Sequence, residues 1–248
     1  MHIPSWLATL AVCGLPLAAL AAPSIRLANF DYPPFCDTSQ PDGGSLVAIT
    51  REAFALQGIR VQLVQLPWSR VIHQALQARV DGVIGIWPED AQQMGLRSAA
   101  PIYISQIGVY LPRTQRVPVR LAALRGKRAG TVQGYNYGPR LLGSGMLLEP
   151  VHDDETNLRK LQTGRIEVAV MEKAVGDYLL QTPRIRLGTP VHWGGLVLGR
   201  QPLSIGFTAT PQQDYWARQF DAGLKRLKQS GRYRQIAGNA RLHAYLPD

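Results

Sequence analysis

A chain of 248 residues, 46% hydrophobic and 18% charged, is long enough for one large domain or two small ones, and it shows no low-complexity tract or solenoid-period repeat. Its formal charge of +10 suggests nucleic acid, but the basic residues are scattered singly from Arg26 to Arg241 with no dense stripe or recognition motif. The charge therefore reads as a solvated basic surface, and nucleic acid is excluded as a partner.

Residues Leu7 to Leu20 are almost wholly apolar and lead into Ala19-Leu20-Ala21. The run is too short to span a bilayer and has the form of a signal-peptide core with a small-x-small cleavage site after Ala21. Residues 1–21 are thus expected to be a cleaved signal, although Met1 to Trp6 lack the usual Lys or Arg. A lipid anchor at Cys13 would need a small residue before it, and Val12 stands there. Cleavage leaves Cys36 alone, which excludes an intrachain disulfide or a cysteine metal cluster. The expected product is a periplasmic protein without stable membrane insertion, metal or cofactor.

After Ala22, the alternation of Ser24 to Phe30 predicts a half-buried strand, and Asp31-Tyr32-Pro33-Pro34-Phe35 a turn. Leu46, Ile49, Ala53, Phe54 and Leu56 recur at helical spacing up to Gly58. A strand through Ile59, Val61, Leu63 and Leu66 follows, then a helix from Trp68 to Arg79 and a buried strand from Val80 to Ile86. This βαβαβ succession predicts a largely parallel, doubly wound α/β sheet.

At the centre, Arg128 to Gln133 predicts a strand, Gly134 a sharp turn, and Tyr135 to Leu142 the start of a helix. A glycine between strand and helix is either a steric necessity or a receptor for anions at the helix N-terminus, and the residues alone leave both open. Strands are expected at Leu147–Val151, Ile166–Met171, 185–187 and Leu203–Phe207, and helices at Asp154–Gln162 and Lys173–Leu180. Trp216, Phe220, Leu224 and Leu227 form the apolar stripe of a helix from about Gln212 to Gln229, read as core. Two βα blocks are therefore joined near Ser105–Pro112.

Short pieces along nearly the whole chain carry a family resemblance: Tyr32-Pro33-Pro34-Phe35, Pro67-Trp68-Ser69-Arg70, Val80-Asp81-Gly82, Pro101-Ile102-Tyr103, Leu124-Arg125-Gly126-Lys127 with Gln133-Gly134, Leu161 to Glu167, and Leu224 to Tyr233. In this order they resemble the bacterial extracellular solute-binding proteins of family 3, which include the polar amino-acid binding proteins of ABC transporters. The resemblance implies a two-lobed, periplasmic-binding-protein-like fold with a two-strand hinge. Residues 22–108 and 204–248 would form the first lobe and 109–203 the second. It also implies a monomer that captures an amino acid or related organic acid in the interlobe cleft and delivers it to an ABC permease.

By the same resemblance, Asn29, Tyr32, Phe35, Trp68, Arg70 and Trp87 would line the cleft from the first lobe. Tyr135 and Asn136 at a helix N-terminus, and Glu172 at a strand end, would line it from the second. One departure matters. The family's amino-acid binders carry Thr-x-x-Arg after the third strand, and that arginine grips the ligand carboxylate. Here the region reads Trp87-Pro88-Glu89-Asp90-Ala91-Gln92-Gln93, leaving Arg70 as the candidate anion clamp. The competing functions are a secreted dehydratase of the same fold acting on a prephenate- or arogenate-like acid through Glu172, and a ligand sensor reporting to a membrane kinase. No Ser-His-Asp or Cys-His arrangement points to a catalytic site, and the histidines are too dispersed for a metal.

Overall fold

The computed structural model describes residues 22–116, 120–185 and 188–247, so the expected signal segment lies outside the described residues. The chain opens with strand β1 (Ser24–Asn29), helix α1 (Ser45–Ala55) and strand β2 (Arg60–Gln65), which pairs in parallel with β1. Helix α2 (Trp68–Leu76) leads to β3 (Gly82–Ile86), parallel to β1 on its other side. β3 is buried along its whole length, as a run of Val83, Ile84 and Ile86 requires. Helix α3 (Pro88–Gln93) and the short β4 (Arg97–Ser98) complete this block before β5 (Tyr103–Pro112).

The second block repeats the plan. Strand β6 (Arg128–Val132), helix α4 (Pro139–Leu142), strand β7 (Leu147–Val151), helix α5 (Asp154–Gln162), strand β8 (Val168–Glu172) and helix α6 (Lys173–Leu179) follow in order. β6 pairs in parallel with both β7 and β8. Strand β9 (Val191–Phe207) and helices α7 (Gln213–Gln229) and α8 (Arg232–Asn239) close the chain.

The strand order is β2-β1-β3-β9-β5-β8-β6-β7. Two parallel triplets, one per lobe, are thus separated by the antiparallel pair β9 and β5. β9 passes between them: Val191 to Leu203 face β5, whereas Ser204 to Phe207 face β3. The segment leading into β5 makes the same passage alongside, with Ala99 N–H donating to Ile205 C=O (2.8 Å) and Ile102 N–H to Leu203 C=O (3.0 Å). The polypeptide therefore crosses between lobes twice.

The C-terminal helices return to the first lobe, where Phe54 of α1 meets Phe220 of α7 at 5.6 Å. Phe54, Phe207 and Phe220 are fully buried, and each contributes about 1.5–3 kcal/mol by leaving water. The core stripe Trp216, Phe220, Leu224 and Leu227 is buried as a unit. Among the described residues no helix is long and apolar enough to cross a membrane.

Several expectations are corrected. The helix from Tyr135 is absent: residues 134–138 are turn and coil, and α4 begins only at Pro139. Gly138 at φ +77° ahead of Pro139 prevents the backbone from running helically through Tyr135, and the Asn136 Oδ1 accepts from Gly138 N–H (3.0 Å) to close a turn instead. Tyr135 and Asn136 therefore do not stand at a helix N-terminus. The helix expected to reach Arg79 stops at Leu76, ahead of Ala78 at φ +49°. Ile185 lies in a 3-10 turn, not a strand, and the remaining two residues of that expected strand lie outside the described residues. The strand expected at Leu203–Phe207 is the last part of β9, whose earlier stretch is broken in pattern by Gly194, Gly195, Gly199 and Pro202.

Candidate functional site

The residues just past the carboxyl ends of the parallel strands converge between the lobes. Phe30 and Asp31 follow β1, Gln65 ends β2 and Leu66 follows it, Gln133 and Tyr135 follow β6, and His152 to Glu155 follow β7. All of them line one cavity of about 770 Å³. Open α/β sheets place ligands at such carboxyl-end crevices, and the volume falls in the range of small-molecule sites, about 300–1,000 Å³.

An aromatic box occupies the inner end of this cavity. Pro67, at φ −58°, sets the entry of α2 so that Trp68 turns inward. Gly85, at φ +83°, shifts the register of β3 against β9 between Ile84 and Ile86, just before Trp87. Phe30 and Trp68 lie 4.7 Å apart, and Phe30 and Tyr32 5.2 Å. Into this first-lobe box reaches Tyr135 of the second lobe, with ring centroids 5.7 Å from Trp68, 5.7 Å from Trp87, 6.1 Å from Tyr32 and 6.3 Å from Phe30. The space left between Phe30, Tyr32, Trp68, Gly85, Trp87, Asp90 and Tyr135 is only about 10 Å³, roughly one water. The Trp68 indole N–H donates across the cleft to Gly134 C=O at 3.1 Å. Gly134 has φ +81°, the left-handed conformation the turn needs and glycine adopts freely, and a Cβ there would meet the Trp68 ring in ordinary contact at 3.4 Å. The lobes are closed.

Polar groups around the box are buried without partners. Of the groups lining these spaces, the Tyr32 hydroxyl, Trp87 Nε1 and Asp154 Oδ1 make no hydrogen bond, in residues that are 2%, 5% and 6% exposed. Buried polar atoms are nearly always paired, so such a set at one cleft marks hydrogen-bonding capacity held for something else. Burial pushes the Asp90 carboxyl up to about 7, with Glu89 adding repulsion, and the Asp154 carboxyl up to about 7, with Asp153 adding. Among the described residues no cluster of His, Cys, Asp or Glu is placed to hold a metal ion.

The residues singled out by sequence divide into three groups. Tyr32, Trp68, Trp87 and Tyr135 come together in the box. Arg70 lies on the wall of the larger cavity with an exposed side chain. Phe35, Asn29, Asn136 and Glu172 do not line either space. Phe35 is fully buried behind Tyr32 (5.5 Å) and against Tyr103 (5.2 Å). Asn29 is buried at the end of β1, and Asn136 closes its own turn. Glu172 accepts from the Ser105 hydroxyl of β5 and from Ala174 N–H (3.3 Å), capping α6. Burial pushes its carboxyl up to about 8 against the lowering effect of those bonds. Phe30, Asp90 and Asp153–Glu155 were not singled out. Phe30 and Asp153 to Glu155 each stand just past a parallel strand, a position that the predicted strand ends already marked.

The family model for bacterial extracellular solute-binding proteins, family 3, matches residues 27–239. No curated protein matches the chain. Among solved structures, a histidine kinase sensor domain with similarity to periplasmic binding proteins is 21% identical at a TM-score of 0.74, covering 91% of this chain and 98% of its own. The GluR0 ligand-binding core from Nostoc punctiforme, in complex with L-glutamate, is 19% identical at a TM-score of 0.73, covering 88% and 99%. The substrate-binding protein of an amino acid ABC transporter is 18% identical at 0.72, covering 87% and 98%. At these identities the structures speak to the fold.

Proposed function

We propose, from the premise that this chain belongs to the bacterial extracellular solute-binding proteins, family 3, that it captures a small polar solute in the cleft between its lobes and closes around it. The division runs through β5 and β9, with residues 22–108 and 204–248 on one side and 109–203 on the other, and the two crossing strands act as hinge. The observation that carries the reading is the convergence of the parallel strands' carboxyl ends, from both lobes, on one cavity, with the buried unpartnered Asp154 Oδ1 in its wall and the Tyr32 hydroxyl and Trp87 Nε1 in the adjoining box. Such a site binds and encloses; the chemistry is left to whatever receives the solute. Glu172, the acid a dehydratase would need, is engaged by Ser105 and α6 and lines neither space, which favours binding over turnover.

The solute-loaded protein is read as a periplasmic monomer that docks on a membrane partner, an ABC permease; a sensor protein is the other partner its fold accommodates. Small-angle scattering tests the closure. A solute retained through periplasmic purification and identified by native mass spectrometry should, when removed and added back, reduce the radius of gyration. A saturating solute that leaves the radius unchanged would exclude hinge closure. Export rests on Leu7–Leu20 and Ala19-Leu20-Ala21. Intact-mass measurement of the periplasmic protein should give a chain starting at Ala22, and a product that still contains Trp6 would overturn the cleavage.

A further inference from the structure

The charge of the cleft opposes the charge of the protein. On a chain of formal charge +10, the described residues lining the larger cavity bring Asp31, Asp153, Asp154 and Glu155 against a single arginine, Arg70, beside His152. Deeper in, the aromatic box carries one more carboxyl, Asp90, 5% exposed and with no hydrogen bond to its side chain among the described residues. No lysine or arginine lines the box. Faces of Trp, Tyr and Phe attract cations, and more strongly once water is excluded. A carboxylate behind such a wall adds a full charge where the local dielectric is low.

We propose that the solute is an organic ammonium ion without a carboxylate group, its cationic head held in the box of Phe30, Tyr32, Trp68 and Trp87 over Asp90, where the Tyr135 ring sits in this structure. The inference rests on the solute-binding reading and gives that site its substrate class. Two observations define the solute: the acid-rich lining points to a cation, and the unpartnered Tyr32 hydroxyl and Trp87 N–H at the box point to a hydrogen-bond acceptor beside it. In a solute that carries a hydroxyl, such as choline, those two groups bond its oxygen beside the ammonium. The head enters when the lobes part and Tyr135 withdraws, because the closed box leaves room for only about one water. A carboxylate on the solute would face Asp90, Asp154 and Glu155, with only Arg70, exposed at the wall, to answer it. Burial already raises Asp90 and Asp154, and an adjacent cation restores their charged forms.

The test uses matched pairs that differ by a carboxylate: choline against glycine betaine, and putrescine against ornithine, by calorimetry on the full mature protein. At least one of choline and putrescine should bind at least about tenfold more tightly than its carboxylated counterpart. Equal or tighter binding of the carboxylated members, or binding of neither choline nor putrescine, overturns the inference. Neither outcome touches the solute-binding reading, which is judged separately by the retained solute and the compaction. Asp90→Asn, nearly isosteric, should weaken the cation by about 10- to 100-fold. Arg70→Ala, at an exposed position that folding does not depend on, should tighten the cation by about 2- to 5-fold by removing a like charge. Weakening in Arg70→Ala would mark an anion clamp instead and overturn the inference.

Discussion

Tyr135→Ala is expected to open the ligand-free protein. The Tyr135 ring is an aromatic contact of the second lobe with the first, meeting Phe30, Tyr32, Trp68 and Trp87 at 5.7–6.3 Å. Removing a fully buried aromatic side chain costs about 3–5 kcal/mol, and for this half-buried ring about 2 kcal/mol is lost, all of it from the closed arrangement. At 1.4 kcal/mol per factor of ten, the closed-to-open ratio falls about 30-fold. The hydrogen bonds from Trp68 to Gly134 (3.1 Å), from the Tyr178 hydroxyl to Asp37 (2.6 Å), from Gln40 to Tyr178 (3.4 Å) and from Arg241 to Gln181 (3.4 Å) still cross between the lobes, so the shift toward the open form is limited to what the ring contributes. Scattering, or a distance between labels placed one on each lobe, should show the ligand-free variant more extended than wild type. Tyr135→Phe, which keeps the ring, should stay closed. An alanine variant as compact as wild type would mean that the lobes are held by contacts elsewhere.

Stability should fall as pH rises from 6 to 9, and Glu172→Gln should remove a large part of that fall. Burial raises the Glu172 carboxyl from its ordinary 4.5 to about 8. Between those values the folded state holds a proton that the unfolded chain has released, so folding loses stability as pH rises through the window. From pH 6 to the folded value near 8, at 1.36 kcal/mol per unit, the loss is about 3 kcal/mol. Asp90 and Asp154, each raised to about 7, add to it in the same direction. Glutamine keeps the shape, with its oxygen accepting from Ala174 N–H and its amide nitrogen donating to the Ser105 hydroxyl oxygen, but cannot ionise. Urea unfolding at pH 6 and pH 9 should therefore show a smaller difference in the variant by about 3 kcal/mol. Parallel losses in both proteins would mean that Glu172 is already ionised in the folded state.

The sequence by itself determined most elements of the two βα blocks and their order along the chain. Period-two and period-3.6 patterns marked β1, α1, α5 and α7 closely, because each carries a local signature of its buried residues. The turn at Gly134, and the inward aromatics Tyr32, Trp68, Trp87 and Tyr135, were legible from family-like pieces. Tertiary structure alone decided the rest. The long β9 could not be seen, since a strand that changes partners from β5 to β3 keeps no constant face. Phe35, Asn136 and Glu172 went behind the cleft because turn closure, ring stacking and a hydroxyl on a neighbouring strand claimed them. The acid lining of the cleft came from the loops and first helical turns that follow β1, β3 and β7, far apart in sequence. Charge that is scattered along a chain acquires a sign at a site only when folding brings distant carboxyl groups to one wall.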